Sequence, residues 1–141
     1  MYILDTDHLS LSDRGTSAES QRLRFRLSGV KSNEVVTTII TVEEQMRGWL
    51  SWLAQAHSLA QQVERCRKLK QLLMMYREIT ILDFDESAAE EFQRLQKLRV
   101  RIGTMDLKIA AITLTHDATL LSRNIKDFDK VPGLKVEDWS I

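Results

Sequence analysis

The sequence predicts an α/β protein: a three-layer α/β/α sandwich around a central parallel sheet of about five short strands. Three observations carry this. Short apolar or β-branched segments alternate with longer stretches of helical periodicity, the order that builds a parallel sheet covered on both faces. Only five Gly and one Pro occur in 141 residues, so long irregular linkers are scarce. Hydrophobic residues make up 43% of the chain, enough for a real core in a single domain spanning 1–141.

Each element follows from its residues. Tyr2-Ile3-Leu4 is a short apolar strand that ends at Asp5. A polar stretch from Ser12 to Ser20 follows, and residues 18–28 take helical spacing from Leu23 and Leu27. Val35 to Ile40 is β-branched throughout and reads as a buried strand. Thr41-Val42-Glu43-Glu44 has the spacing of a capping box, with Thr41 as N-cap and Glu44 at the third helical position. Helical pattern then runs to about Tyr76, and a break near Ala56-His57-Ser58 makes a helical hairpin over about 41–77. Ile79 to Leu82 is a third strand, and 86–100 an amphipathic helix ended by Gly103. Thr104 caps a helix over 105–116 that is apolar nearly all round and therefore buried. Thr119 to Ser122 and Leu134 to Val136 complete the sheet.

Charge and cysteine content exclude several classes. Lys plus Arg is 20 and Asp plus Glu is 20, so the net charge is zero. That argues against a protein that coats nucleic acid by bulk electrostatics, but not against a nuclease with locally concentrated base. No apolar run reaches the roughly 18 residues of a membrane span. Residues 1–20 contain Asp5, Asp7 and Asp13 and lack the apolar core of a secretory signal. The single Cys66 excludes an intrachain disulfide and fits a cytoplasmic setting.

In an open parallel sheet, sites form at the carboxyl ends of the strands. Asp5 ends the first strand, Glu43 and Glu44 open the helix after the second, and Asn124 and Asp127 follow the fourth. Asp106 lies in the first turn of the buried helix leading to that fourth strand. Each acid has a structural role open to it. Asp5 and Glu44 can cap, Asp106 can complement a helix dipole, and Asp127 can sit in a solvated turn. Those separate roles do not explain why all of them fall at one edge. Gathered carboxylates repel, so the arrangement calls for a cation, and oxygen-only ligands point to Mg²⁺ or Mn²⁺. Such an ion suits phosphate chemistry. His8, His57 and His116 lack ligand spacing and take structural or surface roles.

These residues carry a resemblance. Met1 to Ser10, with Asp5-Thr6-Asp7 after an apolar strand, resembles the opening of a PIN domain of the VapC toxin group. Glu44 to Gly48 fits that family's Glu-x-x-x-Gly motif, and Ile102 to Ala111 is similar to its segment around a third acid. Leu120 to Phe128 resembles its fourth motif, and Val131 to Trp139 its closing strand. The resemblance implies a Mg²⁺-dependent endoribonuclease that acts on RNA and pairs with a cognate antitoxin, and it suggests a homodimer. It implies Asp5 and Asp106 as principal metal ligands, Glu44 as the acid that completes the cluster, and Thr6 as a supporting hydrogen bonder. The fourth position departs from the pattern: Asn124 stands where many relatives carry Asp, retaining a carbonyl ligand but no charge, and Asp127 is placed to compensate. Glu43 and Glu44 point about 100° apart on a helix, so only one can face the site; the spacing to Gly48 favours Glu44.

Two other readings compete. Ile3-Leu4-Asp5-Thr6-Asp7 also satisfies the Asp-x-Asp motif of haloacid-dehalogenase-like phosphohydrolases, with Asp5 as covalent nucleophile. Gly103 and Asp106 do not reproduce that family's downstream acidic pair. The second is a catalytically inactive α/β interaction module. Within the hairpin, Trp49, Trp52 and Leu53, and then Leu69, Leu72, Leu73 and Tyr76, recur at helical spacing. They serve either the core or an antitoxin segment laid in a groove. The basic run from Arg94 to Arg101 leads into Gly103–Asp106, which makes Arg99 and Arg101, with Arg123 across the site, the candidate phosphate contacts.

Overall fold

A computed structural model describes residues Met1 to Ile141. Five parallel strands form one sheet: β1 (Tyr2–Leu4), β2 (Val35–Thr38), β3 (Thr80–Leu82), β4 (Thr119–Leu121) and β5 (Lys135–Glu137). Their order is β3-β2-β1-β4-β5. Seven helices connect them: α1 (Thr6–Arg14), α2 (Ala18–Leu27), α3 (Ile39–Ala54), α4 (Leu59–Tyr76), α5 (Glu86–Lys97), α6 (Thr104–Thr115) and the single turn α7 (Ile125–Phe128).

Period-two alternation along the strands divides the interior into two cores, one on each face. Ile3, Val36, Leu82 and Leu120 pack with Ala88 and Leu95 of α5, with Leu107 to Ile112 of α6, and with Phe128. Their strand neighbours Leu4 and Leu121 pack on the opposite face with Leu9, Leu23, Leu72, Tyr76 and Trp139. Hence α5, α6 and α7 cover one face, and α1, α2 and α4 the other. Helix α6 is buried as its composition requires: Ile109 to Thr113 are all at 1% exposure or less.

Three local expectations are corrected. Residues 6–14, to which no regular element is assigned from the sequence, form a nine-residue helix capped by Asp5 itself. Its polar face hides the pattern, because only His8 and Leu9 are fully buried. Strand β2 stops at Thr38, two residues short of the β-branched run's end. Thr38, the last residue in register with β3, accepts the Thr41 N–H at 3.1 Å, so it rather than Thr41 caps α3. Finally, the buried helix α6 begins at Thr104 with Gly103 at its N-cap, not with Thr104 as cap; Leu72 and Tyr76 take the core place that was open to them. The hairpin break falls at Gln55–Ser58, with Ser58 capping α4.

Part of the basic charge is structural. Arg22 Nε donates to the Ser140 carbonyl at 2.7 Å, and Arg24 Nε donates to the Ser12 carbonyl at 3.0 Å. Arg22 and Arg24 of α2 therefore fasten chain segments rather than facing a ligand.

Candidate active site

The direction of strand succession reverses between β1 and β4, the place where open α/β sheets form their crevice. Asp5 leaves β1 at this point. Its N–H donates to the Leu121 carbonyl of β4 at 3.2 Å, and its Oδ1 accepts the His8 N–H at 2.8 Å. The cap and the site are thus served by one side chain: Oδ1 is held by α1, which leaves Oδ2 for the crevice. On the other side of β1, the buried Thr37 hydroxyl donates to the Leu4 carbonyl at 2.9 Å. The strand end that carries Asp5 is therefore fixed from both neighbours.

Because Thr38 caps α3, Glu44 falls beyond the positions that can reach back to the cap. It turns over the strand ends instead. Its Oε1 and the Thr6 hydroxyl are both buried without a hydrogen-bond partner. Burial pushes the Glu44 carboxyl above its ordinary range, and the charges of Asp106 and Asp5 push it further. The Thr6 hydroxyl, close by but outside hydrogen-bonding geometry, offsets this in part. Glu43 points away and accepts a hydrogen bond from Arg47 at 2.8 Å on the exposed side of α3.

Asp106, in the first turn of α6, is also raised, first by burial and then by the charges of Asp5 and Asp127. Asn124 connects the remaining members. Its Nδ2 donates to Asp127 Oδ2 at 3.1 Å and to Asp106 Oδ2 at 3.5 Å. Buried Ser122 accepts the Asn124 N–H at 2.9 Å and fixes that loop. Asn124 therefore presents its donor, not its carbonyl, to the carboxylates; turning the amide over would present Oδ1 instead. Asp127 is held below its ordinary range by the Asn124 amide and by Lys130, whose Nζ lies 3.3 Å away.

Asp5, Glu44, Asp106, Asn124 and Asp127 are thus brought to one edge, with Thr6 beside Glu44. The basic candidates are less uniform. Arg123 makes a two-pronged contact with Asp7, Nη2 donating to Oδ1 at 2.9 Å and Nε to Oδ2. Arg101 adjoins the Asp127 side through its carbonyl, which accepts from Lys130 Nζ at 3.4 Å. Arg99 is exposed in the turn after α5 with φ 58°, and no polar contact joins its side chain to the acids.

Two supports had no signal in the sequence, since both join segments far apart. Fully buried His8 accepts the Trp139 N–H on Nε2 at 3.3 Å, and its Nδ1 lies 3.6 Å from Asp5 Oδ1. It fastens the helix behind Asp5 to the C-terminal segment. In the second, the Tyr76 hydroxyl donates to Gln45 Oε1, Gln45 Nε2 donates to Ser10 Oγ at 3.0 Å, and Ser10 donates to the Thr6 carbonyl at 2.9 Å. This chain sets α1, α3 and α4 against one another directly behind Thr6 and Glu44.

The donor set fits a hard divalent cation. All donors are oxygens, one of them a buried carboxylate oxygen without a partner. No three His, Cys, Asp or Glu side chains stand close enough to enclose an ion. A hard divalent cation can be held by one or two carboxylates, with waters and substrate phosphate as its other ligands.

Comparison with known proteins identifies the family. The PIN domain family model matches residues 2–134. The chain is 25% identical to a Salmonella typhimurium protein named tRNA(fMet)-specific endonuclease VapC, over 98% of this chain and 97% of that one. It is 43% identical over 61 residues to ribonuclease VapC1 of Rickettsia felis and 34% identical over 65 residues to ribonuclease VapC2 of the same organism. Those two matches cover 40% and 43% of this chain, and it spans about half the length of these relatives, 46% and 48%. FitAcB from Neisseria gonorrhoeae superposes with a TM-score of 0.75 at 23% identity, over 99% of this chain and 98% of that one. VapBC2 from Rickettsia felis, bound to a DNA fragment, does so at 0.70 and 22% identity, over 98% of each chain. At those identities the likeness is one of fold. With the family model covering nearly the whole chain, this protein belongs to the PIN-domain family.

Proposed function

We propose that this chain is a divalent-metal-dependent endoribonuclease, the toxin of a toxin–antitoxin pair, which hydrolyses RNA phosphodiester bonds by attack of water. The observation that carries this reading is the gathering of Asp5, Glu44 and Asp106 at one strand edge, where burial first and then the charges of their neighbours push the Glu44 and Asp106 carboxyls above their ordinary range. A protein that holds unlike segments together at such a cost in repulsion has a use for the charge. The names of the VapC relatives supply the substrate class.

Asp5 and Asp106 would hold the ion, Mg²⁺ or Mn²⁺, with Glu44 completing the cluster. A divalent cation held there would supply polarisation of the phosphoryl oxygen, activation of water and stabilisation of the leaving oxygen. Glu44, whose Oε1 is unpartnered and whose carboxyl is raised above its ordinary range, would orient the attacking water and accept its proton. Asn124 steadies Asp106 and Asp127, and Arg101, Arg99 and Arg123 approach the flanking phosphates. The phosphohydrolase alternative has less support, because Asp5 Oδ1 is occupied by the His8 N–H and the family match lies elsewhere.

The antitoxin is assigned to the outer face of the hairpin. Leu50, Leu59, Val63, Leu73 and Met74 are exposed there, from 48% to 78%, half of the exposed large apolar side chains in the molecule. No helix is long and apolar enough to cross a membrane, which fits the cytoplasmic setting expected of such a pair. A homodimer completes the reading. The test is RNA cleavage by purified protein with and without Mg²⁺, followed by sequencing of fragment 5′ ends. Cleavage at defined positions, abolished by chelator, is expected. Cleavage insensitive to chelator, or none in Mg²⁺ or Mn²⁺, overturns the reading.

A further inference from the structure

We infer that the pocket between α1, α3 and α4 is a subsite that receives one unpaired nucleobase of the RNA beside the scissile phosphate. This rests on the endoribonuclease reading and assigns a specificity determinant to it. The pocket has a volume of about 700 Å³, and Thr6 and Glu44 belong both to its wall and to the acidic edge. A nucleotide whose phosphate reaches Glu44 therefore has its base, or that of its neighbour, at the pocket mouth.

Trp52 is the central observation. Trp49 also packs into the core, but Trp52 belongs to neither core cluster and presents its indole to the pocket. It meets Trp49 edge-to-face at 5.2 Å and 90°. The Arg65 guanidinium sits 4.6 Å above the Trp52 ring, with Lys68 Nζ at 5.6 Å, so α4 holds the indole in place from across the hairpin. A large aromatic that is held rigid yet left out of the core is what base stacking requires.

Charge and polarity identify the occupant. Arg14 and Lys68 balance Asp13 and Glu44 around the pocket, so no net charge selects for a phosphate within it. Only three of its twelve lining residues are hydrophobic, and two of these are Trp49 and Trp52. An aliphatic peptide anchor would find few partners there. A planar heterocycle with donors and acceptors on its edge suits it: exposed Gln71 and Lys68 line the wall, and Gln45 is already committed to Tyr76 and Ser10. The space is open above Gly48, where an added Cβ would meet nothing within 4 Å.

The test is binding of 2′-O-methyl RNA tetramers of A, C, G and U to the full chain without divalent metal, read by quenching of tryptophan fluorescence. Saturable quenching that favours one base over the others is expected. Trp52→Ala should weaken that binding roughly 5- to 150-fold, the range for loss of one stacked base. Trp52→Phe should restore most of it. Gly48→Leu, which fills the pocket from an exposed helical position, should weaken binding with helical circular dichroism unchanged, so misfolding is not the cause. No saturable quenching by any tetramer, or binding by Trp52→Ala and Gly48→Leu as tight as that of the wild type, overturns the subsite. So does quenching by a co-purified protein partner but by no RNA. Base-selective binding without metal-dependent cleavage would leave the subsite standing and remove the endoribonuclease reading. Cleavage with binding unaltered in both variants would do the reverse.

Discussion

The Asn124 side-chain amide donates to Asp106 Oδ2 across 3.5 Å, joining the loop after β4 to the first turn of α6. Together with its bond to Asp127, this makes Asn124 the internal counterweight to the acids. Asn124→Asp removes that donor and adds a further carboxylate. In chelator the variant should lose about 1–2 kcal/mol of stability. In Mg²⁺ it should recover more than the wild type does, because the added charge strengthens ion binding. Thermal melts with and without Mg²⁺ check this; an equal Mg²⁺ shift in both proteins contradicts it.

Asp5 has two separable duties, and two substitutions separate them. Asp5→Ala removes the N-cap of α1 and should cost about 1 kcal/mol, measured by urea denaturation. Asp5→Asn keeps a good cap and should leave stability within a few tenths of a kcal/mol. Both should abolish Mg²⁺-dependent cleavage. Full activity in Asp5→Asn would remove Asp5 from the ligand set.

Glu43 and Glu44 are adjacent but unequal. Glu43 pairs with Arg47 in solvent, so Glu43→Gln should change stability by no more than about 0.5 kcal/mol and leave RNA cleavage intact. Glu44→Gln should lower the cleavage rate about 10²- to 10⁴-fold, as loss of a proton acceptor does. Comparison of the two rates on one RNA decides which acid faces the site.

The raised carboxyls of Glu44 and Asp106 give stability a defined pH dependence. Their native pKa values lie above the unfolded ones, so the native state binds more protons between the two. Their contribution is fully present below the unfolded value and is lost as pH rises through the native one. Ion-free protein should therefore lose stability upward from the ordinary carboxylate range, relative to an Asp106→Asn variant measured alongside. Mg²⁺ should reverse the sign, since it binds the deprotonated form. Denaturation curves from pH 4 to 7 in chelator and in Mg²⁺ read both slopes.

The sheet and the site were legible to different degrees. The central strands announce themselves, because a strand buried on both faces must be apolar at successive positions, as Ile3-Leu4 and Leu120-Leu121 are; the edge strand β5 is exposed at Lys135 and Glu137 and shows only through Val136 between them. The acids at the strand ends were legible from position alone. Helix α1 was not, because only His8 and Leu9 of its nine residues are fully buried and its cap is also a site residue. The start of α3 was misplaced because Ile39 and Ile40 have strand propensity, while the end of β2 is set by the register of Thr38 against Leu82. The donor face of Asn124, the tether from His8 to Trp139 and the position of Trp52 depend on contacts between distant segments, which no local pattern encodes.

The most direct test of the central claim is the Mg²⁺-dependent cleavage rate of RNA by wild type and by Asp106→Asn, with thermal melts to confirm that both are folded. The substitution keeps the size of the side chain and removes one charge from the acidic edge. Metal-dependent cleavage by the wild type, and a loss of at least about 100-fold in a folded variant, is the predicted result. Equal cleavage by the two proteins would contradict the account, because no ion held by Asp106 could then be responsible for the chemistry.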